Sequence, residues 1–423
     1  MTKMRWTMLA VALAVFCAQS AVAETLSEAF EAAVAASRPV RAANQVSQSA
    51  QAGLEVAKAR RLPVVTLSAN HFRMEDKLGV TALGMELPIM DDSTTGVSAM
   101  TAVPLFTGGR ITHGIEAAQS VASSSRYAEL ATISDIRYQT AVTYTAVIEA
   151  QAVLKAAQTH RSALQAHERQ VQARLKKGMA VKNELYAAQA ALMGAEDRVI
   201  AAQSALDSSK AAYNRLLDRE FDQAVDLAEL PADDVHESLA ELTQRAVVSS
   251  TELAAMQENV RAARATAASE NAARLPQIEL VGGWMRQSNR YFTDDSGWVA
   301  GVVMKWDVFD GGLRSASAEV SQRQADALRE RTLEAESMLK LAVKNAWLAW
   351  QEACARQTAS EASLKSAEEN LRVSSRRYAA GLSQHTEVLD AEALRQTAHA
   401  RLVKAQNDKH RAAFKLRRLT DTL

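Results

Sequence analysis

From Arg110 to Lys177, and again from Leu313 to Ala380, small, charged and amide side chains surround apolar positions at helical spacing, and neither stretch contains Pro. Both read as single helices, each roughly 100 Å long at 1.5 Å per residue. Gly178 and Gly381 end them, and shorter helical patterns follow, about Lys182 to Leu217 and Glu387 to Leu419. Earlier helices are expected from Ser27, as N-cap, to about Arg60, and from Glu241 to about Ala273. Pro39 predicts a kink or early turn in the first of these. The period changes to two after Pro276. Ile278, Leu280, Gly282 and Trp284 alternate with Gln277, Glu279, Val281 and Gly283. Trp298, Ala300, Val302, Met304, Trp306 and Val308 then alternate with Val299, Gly301, Val303, Lys305, Asp307 and Phe309. The expectation is a pair of strands with one apolar, Trp-edged face.

The pattern occurs twice. Leu26-Ser27-Glu28-Ala29 aligns with Leu239-Ala240-Glu241-Leu242, and Arg61-Leu62-Pro63 with Arg274-Leu275-Pro276, both displaced by 213 positions. Phe106-Thr107-Gly108-Gly109 aligns with Phe309-Asp310-Gly311-Gly312, and Gly178 with Gly381, displaced by 203. The change of displacement falls between Pro63 and Gly108, where the first copy has room for a longer loop. Loops tolerate insertion and packed elements do not. Residues 24–218 and 239–423 therefore read as two repeats joined by a linker, 219–238, each in the order helix, strand, strand, long helix, turn, shorter helix. Along the second long helix, Leu339, Ala342, Ala346, Ala349 and Ala353 mark a close-packed coiled-coil seam.

The 423 residues carry 49 Lys and Arg against 49 Asp and Glu, which removes the electrostatic case for a nucleic-acid partner. Lys3 and Arg5, the apolar run Met8 to Cys17 and the small-residue box Ala21-Val22-Ala23 read as a secretory leader, residues 1–23, cleaved before Glu24. Cleavage leaves Cys354 alone, expected as a small buried hydrophobe, so no internal disulfide supports this exported chain. No later apolar run is long enough for a membrane helix, so membrane insertion would require a β-barrel. Four strands cannot close one, since the smallest have about eight. Identical subunits would have to pool strands, and three would supply twelve. The mixed chemistry of the sites is sparse: there is no H-E-x-x-H, Walker A or G-x-G-x-x-G pattern, and no catalytic residue, metal or cofactor is expected. His160 and His167, seven apart on a helix, make an incomplete metal site and read as solvated positions; a pH-sensitive contact at His385 is conceivable.

The motifs Arg61-Leu62-Pro63 and Arg274-Leu275-Pro276 entering the strands, with Pro104 to Arg110 and Trp306 to Gly312 leaving them, resemble those of the TolC family of outer-membrane efflux and secretion channels. Arg377-Tyr378-Ala379-Ala380-Gly381-Leu382 through Glu387-Val388-Leu389-Asp390-Ala391 resembles that family's periplasmic-tip signature. The resemblance spans the chain after its leader. It implies a mostly α fold with a small β part: a homotrimer with a twelve-stranded outer-membrane barrel, a twelve-helix periplasmic tunnel and the 219–238 linker at its equator. Such channels are passive ducts served by a periplasmic adaptor and an inner-membrane transporter of RND or ABC type. The implied gate comprises Glu387, Asp390, Glu184, Asn183 and Tyr378; the implied adaptor-docking turns comprise Gly178, Met179, Ala180, Gly381, Leu382 and Ser383. Trp284, Trp298 and Trp306 would face outer-membrane lipid. Ser383 stands where some relatives carry a basic residue that ties the entrance shut, which leaves Tyr378 to bond the Asn183–Glu184 turn. The rival reading is a pore-free periplasmic coiled-coil adaptor or scaffold.

Overall fold

The computed structural model describes residues 23–82, 84–230, 235–291 and 293–423. The expected leader, all but Ala23, lies outside them, as does part of the 219–238 linker. Eight helices are described: α1 (Leu26–Ala36), α2 (Arg38–Ala59), α3 (Arg110–Lys176), α4 (Lys182–Leu216), α5 (Leu239–Ser249), α6 (Thr251–Ala272), α7 (Leu313–Ala379) and α8 (His385–Leu419). Six strands accompany them: β1 (Val64–Arg73), β2 (Leu78–Ala82), β3 (Met85–Met90), β4 (Ser93–Phe106), β5 (Gln277–Gln287) and β6 (Ser296–Lys305). Helix lengths match in pairs: 11 residues in α1 and α5, 22 in α2 and α6, 67 in α3 and α7, 35 in α4 and α8. Among the described residues no helix is long and apolar enough to cross a membrane.

The chain forms two compact units. The first holds residues up to Ala42, Leu130–Thr251 and Glu336–Leu423. Two of its helices, α1 and α5, start on capping boxes: Thr25 exchanges hydrogen bonds with Glu28, and Ser238 with Glu241. These satisfy amides that have no acceptor within the helix. The first cap is thus Thr25, not the expected Ser27. The chain breaks at Ser37, ahead of Pro39, and again at Ser250, where no proline stands. There the Ser249 hydroxyl donates to the Thr420 carbonyl at 2.8 Å, and the Thr251 N–H donates to the Asp421 carboxylate at 3.0 Å. Ala29, Ala33, Ile136, Tyr144, Val147, Leu206 and Tyr213 form one apolar core. The Tyr144 hydroxyl lies 2.8 Å from the Glu24 carbonyl and 2.7 Å from that of Ala228. Leu242, Ala246, Val343, Ala346 and Leu416 form a second, with Leu339 and Trp350 packed on it. The α7 seam is therefore Leu339, Val343, Ala346, Trp350 and Ala353. Ala342 and Ala349, expected in it, give way to Val343 and Trp350: Leu339, Ala346 and Ala353 keep their places, but the intervening positions step by 4-3 and not by the expected 3-4, and Ala349 is exposed.

The second unit, Ala43–Glu129 with Glu252–Ala335, contains the strands. β1, β4, β5 and β6 make an antiparallel sheet in the order β1-β4-β5-β6, and β2 and β3 form a separate hairpin within the longer loop of the first copy. Opposed residues share a face. One face carries Val65, Leu67, Ala69, Val97, Ala99, Val103, Ile278, Leu280, Trp284, Trp298, Ala300, Val302 and Met304 with a few polar groups such as His71, Thr101 and Arg286; the other mixes Thr66, Ser68, Asn70, Ser98, Gln277, Glu279 and Lys305 with Val64, Phe72, Met100, Val281, Met285, Val299 and Val303. Every residue of the two edge strands, β1 and β6, is exposed.

Candidate functional site

The turn between α3 and α4 and that between α7 and α8 are built alike. Gly178 (φ 73°) and Gly381 (φ 76°) sit in the left-handed region, where a side chain is strained. The Met179 N–H reaches back to the Arg174 carbonyl at 2.9 Å, and the Leu382 N–H to that of Arg377 at 2.8 Å. These bonds satisfy the last carbonyls of each long helix and reverse the chain. Met179 and Leu382 are left exposed, Ala180 and Ser383 half-buried.

Beneath the turns lies a small core of Val171, Ala188, Tyr378 and Val388, with Leu185 and Leu371 against it. Tyr378 is buried, and its hydroxyl donates to Glu184 Oε2 at 2.9 Å, the bond expected from the sequence. Burial, then the bond to the Glu184 carboxylate, pushes the phenol pKa up to about 12, so the hydroxyl stays a donor throughout the physiological range. Arg174 packs against the same tyrosine. Its guanidinium lies 4.7 Å over the Tyr378 ring and donates to the Tyr378 carbonyl at 2.8 Å and the Ala379 carbonyl at 3.1 Å. One cation thereby joins the ends of α3 and α7. Of the remaining expected gate residues, Glu387 is exposed in the first turn of α8, 3.8 Å from Arg377, and Asn183 and Asp390 are exposed. Glu184 is brought to Tyr378; Glu387 and Asp390 are not.

The histidines correct the expectation of solvated positions. His160 and His167 are buried on α3 and meet α8. His160 Nδ1 lies 2.8 Å from Glu392, which Arg395 also holds at 2.6 Å. Burial alone would raise the Glu392 pKa; the His160 and Arg395 hydrogen bonds outweigh it and hold it below the ordinary value. His167 Nε2 lies 2.9 Å from His385 Nδ1, with the rings stacked 5.0 Å apart and Tyr378 5.5 Å from His167. Burial, and then the neighbouring imidazole, push the His167 pKa down to about 4, against opposing pulls from Glu184 and Glu392. A sequence signal existed: His160 and His167 are seven apart on α3, and His385 and Glu392 seven apart on the antiparallel α8.

In the strand unit, Trp284 lies directly opposite Trp298, the latter 84% exposed. Trp306 is not in the strand alternation as expected. β6 ends at Lys305, and the Trp306 indole instead donates to the Arg274 carbonyl at 3.2 Å.

The structure is similar to the outer membrane protein VceC of Vibrio cholerae, with a TM-score of 0.80 and 16% identity over 93% of this chain and 95% of that one. It is similar to the CmeC outer membrane channel of Campylobacter jejuni, at 0.79 and 16% over 94% and 85%. It also matches the open state of the MtrE outer membrane channel of Neisseria gonorrhoeae, at 0.78 and 19% over 93% and 88%. These identities speak to the fold. No curated protein sequence matches the chain. The sequence profile of outer membrane efflux proteins matches residues 29–218 and 242–422, both halves of the chain. On that match, and with TolC-like motifs at the strand ends and helical turns, the chain belongs to the outer membrane efflux protein family.

Proposed function

We propose that this chain is the outer-membrane exit duct of a tripartite efflux or type I secretion assembly. Three copies pool their sheets into a twelve-stranded barrel in the outer membrane of a Gram-negative cell, and their long helices enclose a periplasmic tunnel. The observation that carries this is the four-stranded sheet: a largely apolar, Trp-bearing face, a mixed face that holds most of the polar side chains, and two exposed edges. Open edges invite further strands, and a closed barrel removes them. A soluble scaffold has no use for such a sheet. The duct does no chemistry; an inner-membrane transporter drives substrate through it, and a periplasmic adaptor docks on the Gly178–Ala180 and Gly381–Ser383 turns.

In this reading Glu387 and Asp390, exposed beside the turn, ring the entrance. Three copies of each carboxylate would hold cations and repel anions. The Tyr378–Glu184 bond and Arg174 bridge hold the hairpins together in the resting state. Two experiments test this. Fractionation should place the protein in the outer-membrane pellet; recovery in the periplasmic supernatant would favour the scaffold reading. The purified protein should conduct in a planar bilayer, with cation selectivity that falls when Glu387 and Asp390 are both replaced by Ala. Unchanged selectivity and conductance in that variant would remove the gate assignment.

A further inference from the structure

We infer that the lumen holds a second charged station, opposite in sign to the entrance. At the base of the sheet Arg110 and Lys305 hold the anionic groups of passing solutes (phosphate, sulfonate or carboxylate), and Glu279 limits how tightly. The inference rests on the channel reading above, in which the mixed face of the sheet lines the lumen, and it specifies what that wall recognises.

On the mixed face, β1 and β4 carry no ionisable side chain among the described residues, and β5 and β6 carry two, Glu279 and Lys305. Both stand where the strands meet the helices. Lys305 is the last residue of β6 and faces Gln277, the first of β5, with Glu279 two positions on. A cavity of about 360 Å³ opens there. Its strand lining, Gln277, Glu279, Val303 and Lys305, belongs wholly to the mixed face, and Arg110, Asp307 and Arg314 complete it. Arg110, the first residue of α3, is brought to the cavity by the turn before it. The Ser269 hydroxyl donates to the Arg110 carbonyl at 3.0 Å, and the Gln277 amide to the Thr107 carbonyl at 3.3 Å. A Cβ on Gly108 would stand 2.7 Å from Leu275 Cβ, so this turn lies against the chain that enters β5.

The charges in the cavity do not cancel. Of its five charged side chains, Asp307 and Arg314 pair with each other. Asp310, 3.8 Å from Arg314 and outside the lining, accepts from the Gly312 and Arg314 N–H groups at 2.9 and 3.1 Å and so serves the first turn of α7. Arg110, Lys305 and Glu279 are exposed and enter no ion pair among the described residues, which leaves two cations against one carboxylate in each copy. The repeat does not require these charges: displaced by 213 or 203 positions, Glu279, Lys305 and Arg110 correspond to Thr66, Ala102 and Leu313. A lone lysine on an edge strand would merely discourage stray pairing. That purpose does not account for Arg110, which is on a helix beside the same cavity. Twelve strands about 4.8 Å apart and tilted by about 40° set the wall roughly 12 Å from the axis. An inward lysine stem then brings its ammonium to about 6 Å from the axis, inside the Debye length of about 10 Å near 0.1 M salt. Removing one such charge from each of three copies should change the anion-to-cation permeability ratio about fivefold near 0.1 M salt. At about 1 M, where the Debye length is about 3 Å, the change should be less than about twofold.

Reversal potentials of the purified protein in a planar bilayer, under a potassium chloride gradient, test the station. Lys305→Gln and Arg110→Gln should each lower the chloride-to-potassium permeability ratio, Lys305→Gln by about that factor, and Glu279→Gln should raise it. All three shifts should shrink at high salt. Inorganic pyrophosphate should lower the wild-type current more than that of the variant carrying both Lys305→Gln and Arg110→Gln. In a Cys354→Ser background, Lys305→Cys should lose the anion preference, and a cationic methanethiosulfonate should restore it in the same open channel. That readout needs no further variant to fold, and it reports that position 305 faces the lumen. Ratios that are unchanged in all three charge variants, a Glu279→Gln shift of the same sign as Lys305→Gln, or no restoration by the cationic reagent overturns the inference, and the channel reading stands while the protein conducts. A wild-type protein that does not conduct overturns both.

Discussion

Acidification should loosen the hairpin ends from inside, through His167 and His385. The folded state holds both imidazoles neutral, His167 with a pKa near 4 against an ordinary value of 6.5; that of His385 is also lowered, by burial, against the pull of Glu184. Around the pair stand Glu184 on α4, Tyr378 on α7, Arg174 on α3 and, one turn pair away, Glu392 with His160 and Arg395. A folded-state pKa below the unfolded one means the full stability is present above pH 6.5 and is lost as the pH falls from there towards 4. For His167 alone the loss at pH 5 is about 2 kcal/mol, or roughly a 30-fold rise in local opening. One added proton still leaves an N–H···N bond within the pair, so the first cost is desolvation; the second proton breaks the bond. Hydrogen exchange resolves this locally. Peptides spanning Val171–Ala188 and Tyr378–Glu392 should lose protection by about that factor between pH 7.5 and pH 5, after correction for intrinsic exchange. His167→Gln, which keeps a donor and an acceptor, should weaken the dependence, and His167→Gln with His385→Gln should abolish it. An unchanged wild-type protection, or an identical pH slope in the double variant, refutes the reasoning.

Tyr378→Phe removes one hydrogen bond to a half-buried carboxylate, about 1 kcal/mol, and should raise the open probability of single channels roughly fivefold in a planar bilayer. Gly108→Ala combines a positive φ of 61° with a Cβ 2.7 Å from Leu275, and should cost about 2–4 kcal/mol, read as a lower melting temperature of the detergent-solubilised protein. Thr25→Ala and Ser238→Ala should each lose about 1 kcal/mol, seen as faster exchange confined to the first turns of α1 and α5.

The sequence made the long helices and their ends legible because the signals are local. Pro is absent from α3 and α7, and a Gly follows each within two residues. The β5–β6 alternation was equally readable, since one face is apolar and the other is not. Trp306 misled because alternation continues past Lys305 while the ladder stops there. The break at Ser250 had no local sign. It is held by Thr420 and Asp421, some 170 positions away, and only the folded chain brings them together. The seam was legible only in part: Leu339, Ala346 and Ala353 fit a 3-4 and a 4-3 spacing equally, and the choice of Val343 and Trp350 over Ala342 and Ala349 is made by the helices packed against α7, not by spacing.

The histidines show a different kind of blindness. Taken singly, His160 and His167 look like solvated positions on a charged helix, because the pattern of one helix carries no sign of the helix packed against it. Two buried polar groups on one helix need partners at the same spacing on the helix against it, or their burial is costly. For antiparallel helices that requirement reverses the order: the earlier residue on one meets the later residue on the other. His160 with Glu392 and His167 with His385 satisfy it, both pairs seven residues apart. The displaced positions in the repeat, Ser363 with Gln189 and Asn370 with Lys182, carry polar groups but no histidine. The His160–Glu392 and His167–His385 pairs thus sit where α3 meets α8 and have no histidine counterpart in the other half of the repeat. Acid should therefore act first where α3 packs on α8.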